Sequence, residues 1–439
     1  MRSNPRRPEI ASALACCLLA AIGCGPAPRS TAAPTPVDRN SFVVRDVRVF
    51  DGQRAIEHVD VVVRSGRIAS VGRGEAPAGL RVIEGAGRTL IPGLIDAHAH
   101  VRREWALRDA LRFGVTTLLD MFTPVEFIQS HTKGRELLRE TAFADLYSAG
   151  APVTSAGGMG TQFGIPFSTI AGPEDAPAFV RARLAEGSDY IKVLYEPDAG
   201  IVTTISAETL AAVIAAAHEA RARVVVHVSS LAGARAAATA GADGLAHAFG
   251  DAVIDDALVT QMAARGMFVT ATLSAFAYLD RAHTVDPRPE LAADPHIAPF
   301  LTSRQRESLA QPTPEDDSPM RPYLARFQFA NAAQTVRRLH AAGVPILAGD
   351  DAANFGPYGV SMHGELQLLT QIGLEPAEAL ESATRAPAEA FGLADRGRIT
   401  PGARADLILV EGNPLLDIRA TRAIVHVFKN GFEVRRAAK

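Results

Sequence analysis

The stretch RVVVHVSSLAGARAAATAGADGLAHAFG, residues 223–250, contains the pattern that decides the fold. It begins with a run of β-branched residues, continues with an Ala-rich segment of helical length at 231–240, and returns to an apolar run at 243–250. Neither apolar run alternates strictly with polar residues, so both favour strands of a parallel sheet that is buried on both faces. The stretch therefore predicts a β-α-β unit.

The same alternation extends in both directions along the chain. The eight apolar strand candidates are LIPGLIDAHAH (90–100), GVTTLLDM (114–121), DLYSAGAPV (145–153), YIKVLY (190–195), RVVVHVS (223–229), DGLAHAFG (243–250), FVTATLSA (268–275) and VPILAGDDA (344–352). Helical stretches lie between most of them. Eight such strands in a segment of roughly 300 residues predict an α/β fold with a (β/α)8 TIM barrel, and we assign residues 91–394 to it.

Short β-branched runs occur on both sides of this segment. They include FVVRDVRVF at 42–50 and ADLILVEG at 405–412. We expect residues 42–90 and 395–439 to form one composite β-sandwich domain built from both chain ends. Two segments interrupt the barrel pattern, 152–173 and 276–322, and both are predicted to be long loops over the C-terminal mouth of the barrel.

The N-terminal segment is typical of an export signal. Residues 10–23 are an unbroken apolar run of 14, too short to cross a bilayer as a helix. The run ends in AAIGC, which is similar to a bacterial lipobox, so residues 1–23 are predicted to be a lipoprotein signal peptide and Cys24 the lipidated residue. The Pro-, Ala- and Thr-rich residues 24–41 are predicted to be a linker. The alternative is an ordinary secretory signal, which would leave the protein soluble in the periplasm or secreted.

Composition excludes several classes of protein. The formal net charge of −3 argues against a nucleic-acid binder. All three cysteines fall within the first 24 residues, so the body of the chain has neither disulfides nor a catalytic thiol. We expect a small-molecule or dipeptide-like substrate as partner and contact with a membrane surface through the lipid anchor only. Homo-oligomerisation is left open.

Five of the predicted strands carry side chains that bind metals. His98 and His100 are two residues apart and so share one strand face. Lys192 is one of four lysines in the chain and stands in an apolar strand, where an ammonium is costly unless it is paired or neutralised. His227, His247 and an acid at Asp350 or Asp351 follow in later strands. Each of these residues has a structural alternative when taken alone, but together they indicate a site for zinc or a similar ion.

With these residues in place, the chain resembles the amidohydrolase superfamily, in its imidazolonepropionase-like and Xaa-Pro-dipeptidase-like branch. The resemblance extends over residues 42–439 and includes TLIPGLIDAHAHV, DYIKVLYE, VPILAGDDA and GRITPGARADLILVEGNPLLDI. It implies two divalent ions, Zn²⁺ by expectation, that share a bridging hydroxide. The implied ligands are His98, His100, a carbamylated Lys192, His227, His247 and Asp351. Asp351 is also the implied catalytic acid and base, with Asp350 as the alternative.

The substrate is less well specified. Dipeptidases of this branch often have GGHG after the third strand, where this chain has GGMG with Met159 in the histidine position. We therefore favour hydrolysis of the amide C–N bond in a small acylated amine, a cyclic amide or a peptide-like molecule. The alternatives are an Xaa-Pro-type dipeptidase, a non-catalytic envelope lipoprotein that binds a ligand, and a deaminase or phosphotriester hydrolase. Met159, Tyr195 and His363 are candidate substrate contacts; Glu365 is interpreted as a helix-start acid.

Overall fold

The computed structural model describes residues 38–74, 77–200, 202–280, 285–312 and 321–437, without the side chains of residues 163, 321 and 322. The predicted signal peptide, Cys24 and most of the predicted linker lie outside these ranges. Within them, no helix has both the length and the apolar character that a bilayer span requires.

The described residues contain strands β1 (Phe42–Phe50), β2 (Ala55–Arg64), β3 (Arg67–Gly72), β4 (Arg81–Glu84), β5 (Arg88–Pro92), β6 (Leu94–Ala99), β7 (Val115–Asp120), β8 (Asp145–Ser148), β9 (Ile191–Leu194), β10 (Val224–His227), β11 (Gly244–Leu245), β12 (Phe268–Thr270), β13 (Ile346–Leu347), β14 (Leu407–Glu411), β15 (Ile424–Lys429) and β16 (Phe432–Glu433). The helices are α1 (Glu104–Arg112), α2 (Val125–His131), α3 (Ala176–Ala185), α4 (Ala207–Glu219), α5 (Leu231–Ala240), α6 (Asp256–Arg265), α7 (Leu273–Leu279), α8 (Arg288–Ala293), α9 (Ser303–Leu309), α10 (Arg321–Leu324), α11 (Phe329–Ala341), α12 (Val360–Gln371), α13 (Pro376–Ser382) and α14 (Arg385–Ala390). Short 3₁₀ helices lie at Thr161–Phe163, Pro173–Asp175, Ala298–Phe300 and Ile418–Arg422.

The first sheet joins strands from both ends of the described chain. Its order is β16-β15-β14-β5-β1-β2-β3, and β4 pairs with β1. The junction is the antiparallel pair of β5 and β14, in which Leu90 lies opposite Leu409. Both leucines are fully buried, together with Val44, Val61 and Phe428, in one apolar cluster. Burial of β-branched and aromatic side chains on one face explains why these segments form a sheet.

Strands β6–β13 are all parallel to their neighbours and coincide with the eight apolar segments of the sequence. They form one sheet in the order β6-β7-β8 and another in the order β13-β12-β11-β10-β9. Parallel backbone bridges connect the edges of the two sheets, between Ala99 and Ala352 and between Val153 and Val193. The predicted α/β fold with parallel sheets is confirmed. Because the strands are parallel, their carboxyl ends lie on the same side, and that side is where side chains from different strands can meet.

Side-chain caps fix the starts of the helices between these strands. Ser206 accepts a hydrogen bond from the backbone N–H of Thr209 at α4, and Ser230 and Asp255 cap α5 and α6 in the same way.

The described part of the 276–322 segment is helical rather than the long loop that its composition predicts. It contains α8, α9 and the end of α7. Proline in the first turn starts α8, and a capping box between Thr302 and Gln305 starts α9. The residues that made the segment resemble a loop are thus the residues that begin its helices.

Candidate metal centre

Six of the predicted metal ligands lie at the carboxyl ends of the parallel strands. His98 lies in β6 and His100 follows it directly, Lys192 lies in β9, and His227 is the last residue of β10. His247 and Asp351 follow β11 and β13 by a few residues. Parallel pairing aligns these strand ends, so residues that are distant in sequence are brought to one place.

His98, His100 and Asp351 form a compact group that could hold a metal ion. The Nε2 atoms of the two histidines are 3.4 Å apart, and Asp351 Oδ1 lies 3.1 Å from His100 Nε2 and 3.8 Å from His98 Nε2. Two nitrogens that bind one zinc ion at 2.0–2.1 Å in tetrahedral geometry are about 3.3–3.4 Å apart. The observed spacing therefore fits two imidazole ligands of one ion.

His98 and His247 are oriented through their Nδ1 atoms. His98 Nδ1 lies 2.8 Å from the carbonyl oxygen of Ala246, and His247 Nδ1 lies 3.0 Å from the hydroxyl of Thr272. Their ring centroids are 4.3 Å apart, and the His227 ring is 4.8 Å from that of His247. Burial lowers the pKa of His98 and of His247 well below the usual value, so both rings are neutral, the form in which imidazole binds a metal.

Lys192 is buried beside the same group, with 2% of its surface exposed. Burial lowers its pKa from 10.5 to about 7, an effect opposed by the negative charges of Asp351 and Asp120. The neutral form of the amine is therefore accessible near neutral pH. A neutral amine is the nucleophile that carbamate formation with carbon dioxide requires.

Asp350 does not join the histidine group, and the structure favours Asp351 over this alternative. Asp350 is fully buried, and its carboxyl lies within hydrogen-bond reach of that of Asp96. Burial, followed by the charge of Asp96, raises the pKa of Asp350 well above its usual value. Asp350 is therefore protonated and faces the interior.

The backbone near the centre adopts conformations that cost energy. Thr272, Asp351 and Ala353 have φ angles of 46°, 51° and 81°, in the left-handed region that residues with a Cβ rarely occupy. Such residues cost of the order of 1–3 kcal/mol each and persist where the surrounding structure imposes them. Two of these three residues carry groups of the centre: Asp351 carries the carboxylate of the metal-capable group, and Thr272 carries the hydroxyl that orients His247.

Two residues that the sequence analysis did not predict also contact this centre. Glu196 is 2% exposed, and its Oε1 lies 2.8 Å from His227 Nε2. The hydroxyl of Tyr323, on α10, lies 3.4 Å from the same nitrogen and 3.3 Å from Glu196 Oε1. Met159 Sδ is 3.8 Å from the Tyr323 hydroxyl, so the GGMG loop does reach the edge of the centre. Glu196 follows β9 by two residues. Its position four residues after Lys192 was the one feature of the sequence that could have indicated a role at the centre.

The structure also locates the other two predicted substrate contacts, His363 and Tyr195. His363 is buried, with Nδ1 at 3.0 Å from the Thr421 hydroxyl and Nε2 at 3.0 Å from the carbonyl oxygen of Phe113. Phe113 lies two residues before β7, at the amino ends of the strands, so the structure engages both ring nitrogens of His363 away from the metal-capable group. Tyr195 directly follows β9; its ring packs in the large apolar core with Val193, and its backbone N–H donates a hydrogen bond of 3.1 Å to the backbone carbonyl oxygen of His227.

Glu365 does hold a helix start, but not that of its own helix. It lies inside α12, fully buried, and accepts hydrogen bonds from the backbone N–H groups of Leu273 and Ser274 at the beginning of α7. Burial raises its pKa to about 7. Its contacts support the segment that carries Thr272, and hence the hydroxyl that orients His247.

Comparison with known proteins agrees with this arrangement. The model of the amidohydrolase family matches residues 89–435. The chain belongs to the amidohydrolase family. The family match and the hydrolases among its relatives support the sequence prediction of an enzyme that acts on C–N bonds. The family is typically metal-dependent, which accords with the group formed by His98, His100 and Asp351.

Individual relatives within the amidohydrolase family are distant. A dihydroorotase of Pelobacter propionicus is 28% identical over 124 residues, 25% of this chain and 29% of that protein. An ochratoxinase of Aspergillus niger is 27% identical over 327 residues, 65% of this chain and 59% of that protein. The chain thus spans less than two thirds of either relative. Among solved structures, an Xaa-Pro dipeptidase with methionine bound in its active site superposes with a TM-score of 0.73 at 20% sequence identity. The superposition covers 90% of this chain and 100% of that one, and it supports the fold.

Proposed function

We propose that the protein is a metal-dependent amidohydrolase that cleaves the amide C–N bond of a small acylated amine, a cyclic amide or a peptide-like substrate. The observation that carries the proposal is the group of His98, His100 and Asp351, whose Nε2 and Oδ1 atoms lie 3.1–3.8 Å apart. The His247 ring lies next to that of His98, and the His227 ring lies next to that of His247. Burial and then the charge of Lys192 lower the pKa of His98, so further ligands adjoin this group.

The donor set suits a pair of zinc ions. His98, His100 and Asp351 would hold one ion, and His227 and His247 the other, with a carbamylated Lys192 between them. Imidazole and carboxylate oxygen are the ligands that zinc takes at catalytic sites. Bound ions of this kind lower the pKa of water and polarise a substrate carbonyl.

Asp351 is the group that moves the proton. Its Oδ1 faces the histidine pair, and its carboxyl is almost completely buried, with 4% of the side chain exposed. In the proposed role it accepts a proton as water attacks the carbonyl carbon, and it then donates that proton to the leaving nitrogen.

The loop residue Met159 favours acylated amines over dipeptides. A histidine at this position offers a donor for a peptide carboxylate, whereas the thioether of Met159 is a weak acceptor with no charge. Its contact with the Tyr323 hydroxyl supports a location at the edge of the site. Similarity to an ochratoxinase and structural likeness to an Xaa-Pro dipeptidase are consistent with either substrate, so dipeptidase activity is the second candidate.

The experiment that tests the proposal is a hydrolysis screen by mass spectrometry. The zinc-loaded protein is incubated with a mixture of dipeptides and N-acyl amino acids, and a chelator-treated sample is the control. We expect chelator-sensitive cleavage of acyl amides with the dipeptides intact. Cleavage confined to dipeptides would favour the dipeptidase, and full zinc occupancy without any cleavage would favour a ligand-binding lipoprotein.

Architecture and location are part of the same proposal. The edge bridges between the parallel sheets support a closed TIM barrel, and the pairing of β5 with β14 supports a composite domain from both chain ends. The N-terminal sequence supports export and anchoring through Cys24 on the periplasmic side of a membrane. Mass spectrometry of the mature N-terminus tests the anchor, because an unmodified Cys24 would contradict it.

A further inference from the structure

His227 differs from His98 and His247 in the ring nitrogen that the protein occupies. His98 and His247 use Nδ1 for contacts to Ala246 and Thr272, which leaves Nε2 for a metal. In His227 it is Nε2 that is occupied, by Glu196 Oε1 at 2.8 Å and by the Tyr323 hydroxyl at 3.4 Å. The Nδ1 edge of His227 is therefore the edge that remains for a metal.

Glu196 is itself held in place on several sides. Its Oε2 accepts a hydrogen bond of 2.5 Å from the Ser229 hydroxyl, two residues beyond His227. The backbone N–H of Glu196 donates a hydrogen bond of 3.1 Å to the Thr204 hydroxyl. The Ser229 hydroxyl donates to Glu196 Oε2 and the Tyr323 hydroxyl donates to Oε1, so this carboxyl group acts as an acceptor. When Oε1 also accepts from His227 Nε2–H, the ring's lone pair is on Nδ1. The contact thus selects one tautomer of the ring.

The surroundings of Glu196 call for a positive charge on the histidine side. A buried carboxylate is costly unless it is paired. Within the described ranges, Glu196 forms no ion pair with Lys or Arg, and its one titratable cationic contact is His227. An imidazole that binds a metal ion is a stronger N–H donor than a free neutral one, so a metal at Nδ1 would improve the pairing of this carboxylate.

The segment that carries Tyr323 is fixed against the same strand end. Arg326 Nη1 donates a hydrogen bond of 2.8 Å to Asp198 Oδ1, which also accepts one of 3.0 Å from the Ser230 hydroxyl. Tyr323 is 6% exposed. This arrangement keeps the Tyr323 hydroxyl near His227 Nε2, where it donates to Glu196 Oε1.

We propose that Glu196 is a positioning residue that fixes His227 in the Nε2–H tautomer, so that this histidine binds metal through Nδ1 while His98 and His247 bind through Nε2. The inference rests on the proposed function in that it requires the metal centre. Outer carboxylates of this kind typically change metal affinity by 10–100-fold when they are mutated.

The test measures metal binding rather than hydrolysis. Zinc affinity is determined by chelator competition for the wild-type protein and for Glu196→Ala, Glu196→Gln and Asp243→Ala, and cobalt-loaded samples give the ligand-field spectrum. Asp243 is the matched control, because its Oδ2 also contacts a histidine, His218 Nε2 at 3.0 Å. It directly precedes β11 and so lies at the opposite end of the strands from the centre. Circular dichroism and the melting temperature of the metal-free proteins report folding.

We expect Glu196→Ala to weaken the binding of one of two zinc ions by 10–100-fold with little change in melting temperature. Glu196→Gln keeps an oxygen that accepts from Nε2–H, so it should retain most of the affinity and the wild-type cobalt spectrum. Asp243→Ala should bind zinc like the wild type.

Three results would overturn the inference. Equal zinc affinity in Glu196→Ala and wild type would remove the positioning role. A loss in Glu196→Gln as large as that in Glu196→Ala, with an altered cobalt spectrum, would make Glu196 a ligand instead; this variant also decides the matter if the alanine variant does not fold. A wild-type protein that binds no divalent ion would overturn the proposed function itself, a result distinct from the first two.

Discussion

Replacing Lys192 by Met should change how the stability of the metal-free protein depends on pH. Burial lowers the pKa of Lys192 from 10.5 to about 7 in the native state, whereas the unfolded chain keeps the ordinary value. Between these two values the unfolded state binds more protons, so the stability of the wild-type protein rises with pH. Methionine has a similar length, carries no charge and lacks this contribution.

The size of the effect follows from the two pKa values. At about 1.4 kcal/mol per pKa unit, the amine lowers the free energy of unfolding by about 4 kcal/mol at pH 7 and by about 1.5 kcal/mol at pH 9.5. The stability difference between Lys192→Met and wild type should therefore shrink by about 3 kcal/mol over this range. Other groups that titrate in this range are common to both proteins and cancel in the comparison.

The assay is urea unfolding of both proteins after treatment with a chelator. Buffers free of carbon dioxide are needed, because carbamate formation would remove the amine from the equilibrium. Measurements at pH 7, 8.5 and 9.5 give the free energy of unfolding of each protein. Parallel pH profiles for the two proteins would refute the reasoning, since they would mean that Lys192 keeps an ordinary pKa in the folded state.

Two further predictions concern the same centre. Lys192→Ala should lose bound metal and hydrolytic activity together. Both should return in part when short-chain carboxylic acids and zinc are added, because the acid supplies the missing oxygen ligand. A fully active alanine variant would exclude the carbamate. Asp351→Asn should lower kcat by about 10²–10⁴-fold, as expected for loss of a general acid and base. Asp350→Asn should retain bound zinc, because the amide resembles the protonated carboxyl that burial favours at this position. Steady-state kinetics and metal analysis of both variants check this, and equal metal loss would contradict the choice of Asp351.

Much of the centre could be predicted from the sequence because its ligands follow the strand period. His98 and His100 share a face by their spacing of two, and Lys192 stands out because the chain has few lysines. Strand periodicity gives no such information for Glu196, which lies beyond the end of β9. Tyr323 comes from a segment 96 residues beyond His227, and only the tertiary structure brings the two together.

His363 illustrates a different limit of sequence reasoning. Its motif predicts a substrate contact. The structure instead packs the His363 ring against the backbone of Phe113, two residues before β7, and against the Thr421 hydroxyl, at the opposite end of the strands from the centre. The 276–322 segment is a similar case, because Pro and polar residues are typical both of loops and of the first turns of short helices. In both cases the local pattern was compatible with two arrangements, and packing decided between them.

Because β5 pairs with β14, the first sheet cannot be completed until late in synthesis of the chain. One edge of β5 pairs with β1, but its other partner is residues 407–411, which leave the ribosome more than 300 residues later. Until then that edge exposes unpaired backbone groups and can pair with other chains. A chain truncated before residue 407 lacks this partner permanently, so it should aggregate rather than fold into a shortened enzyme.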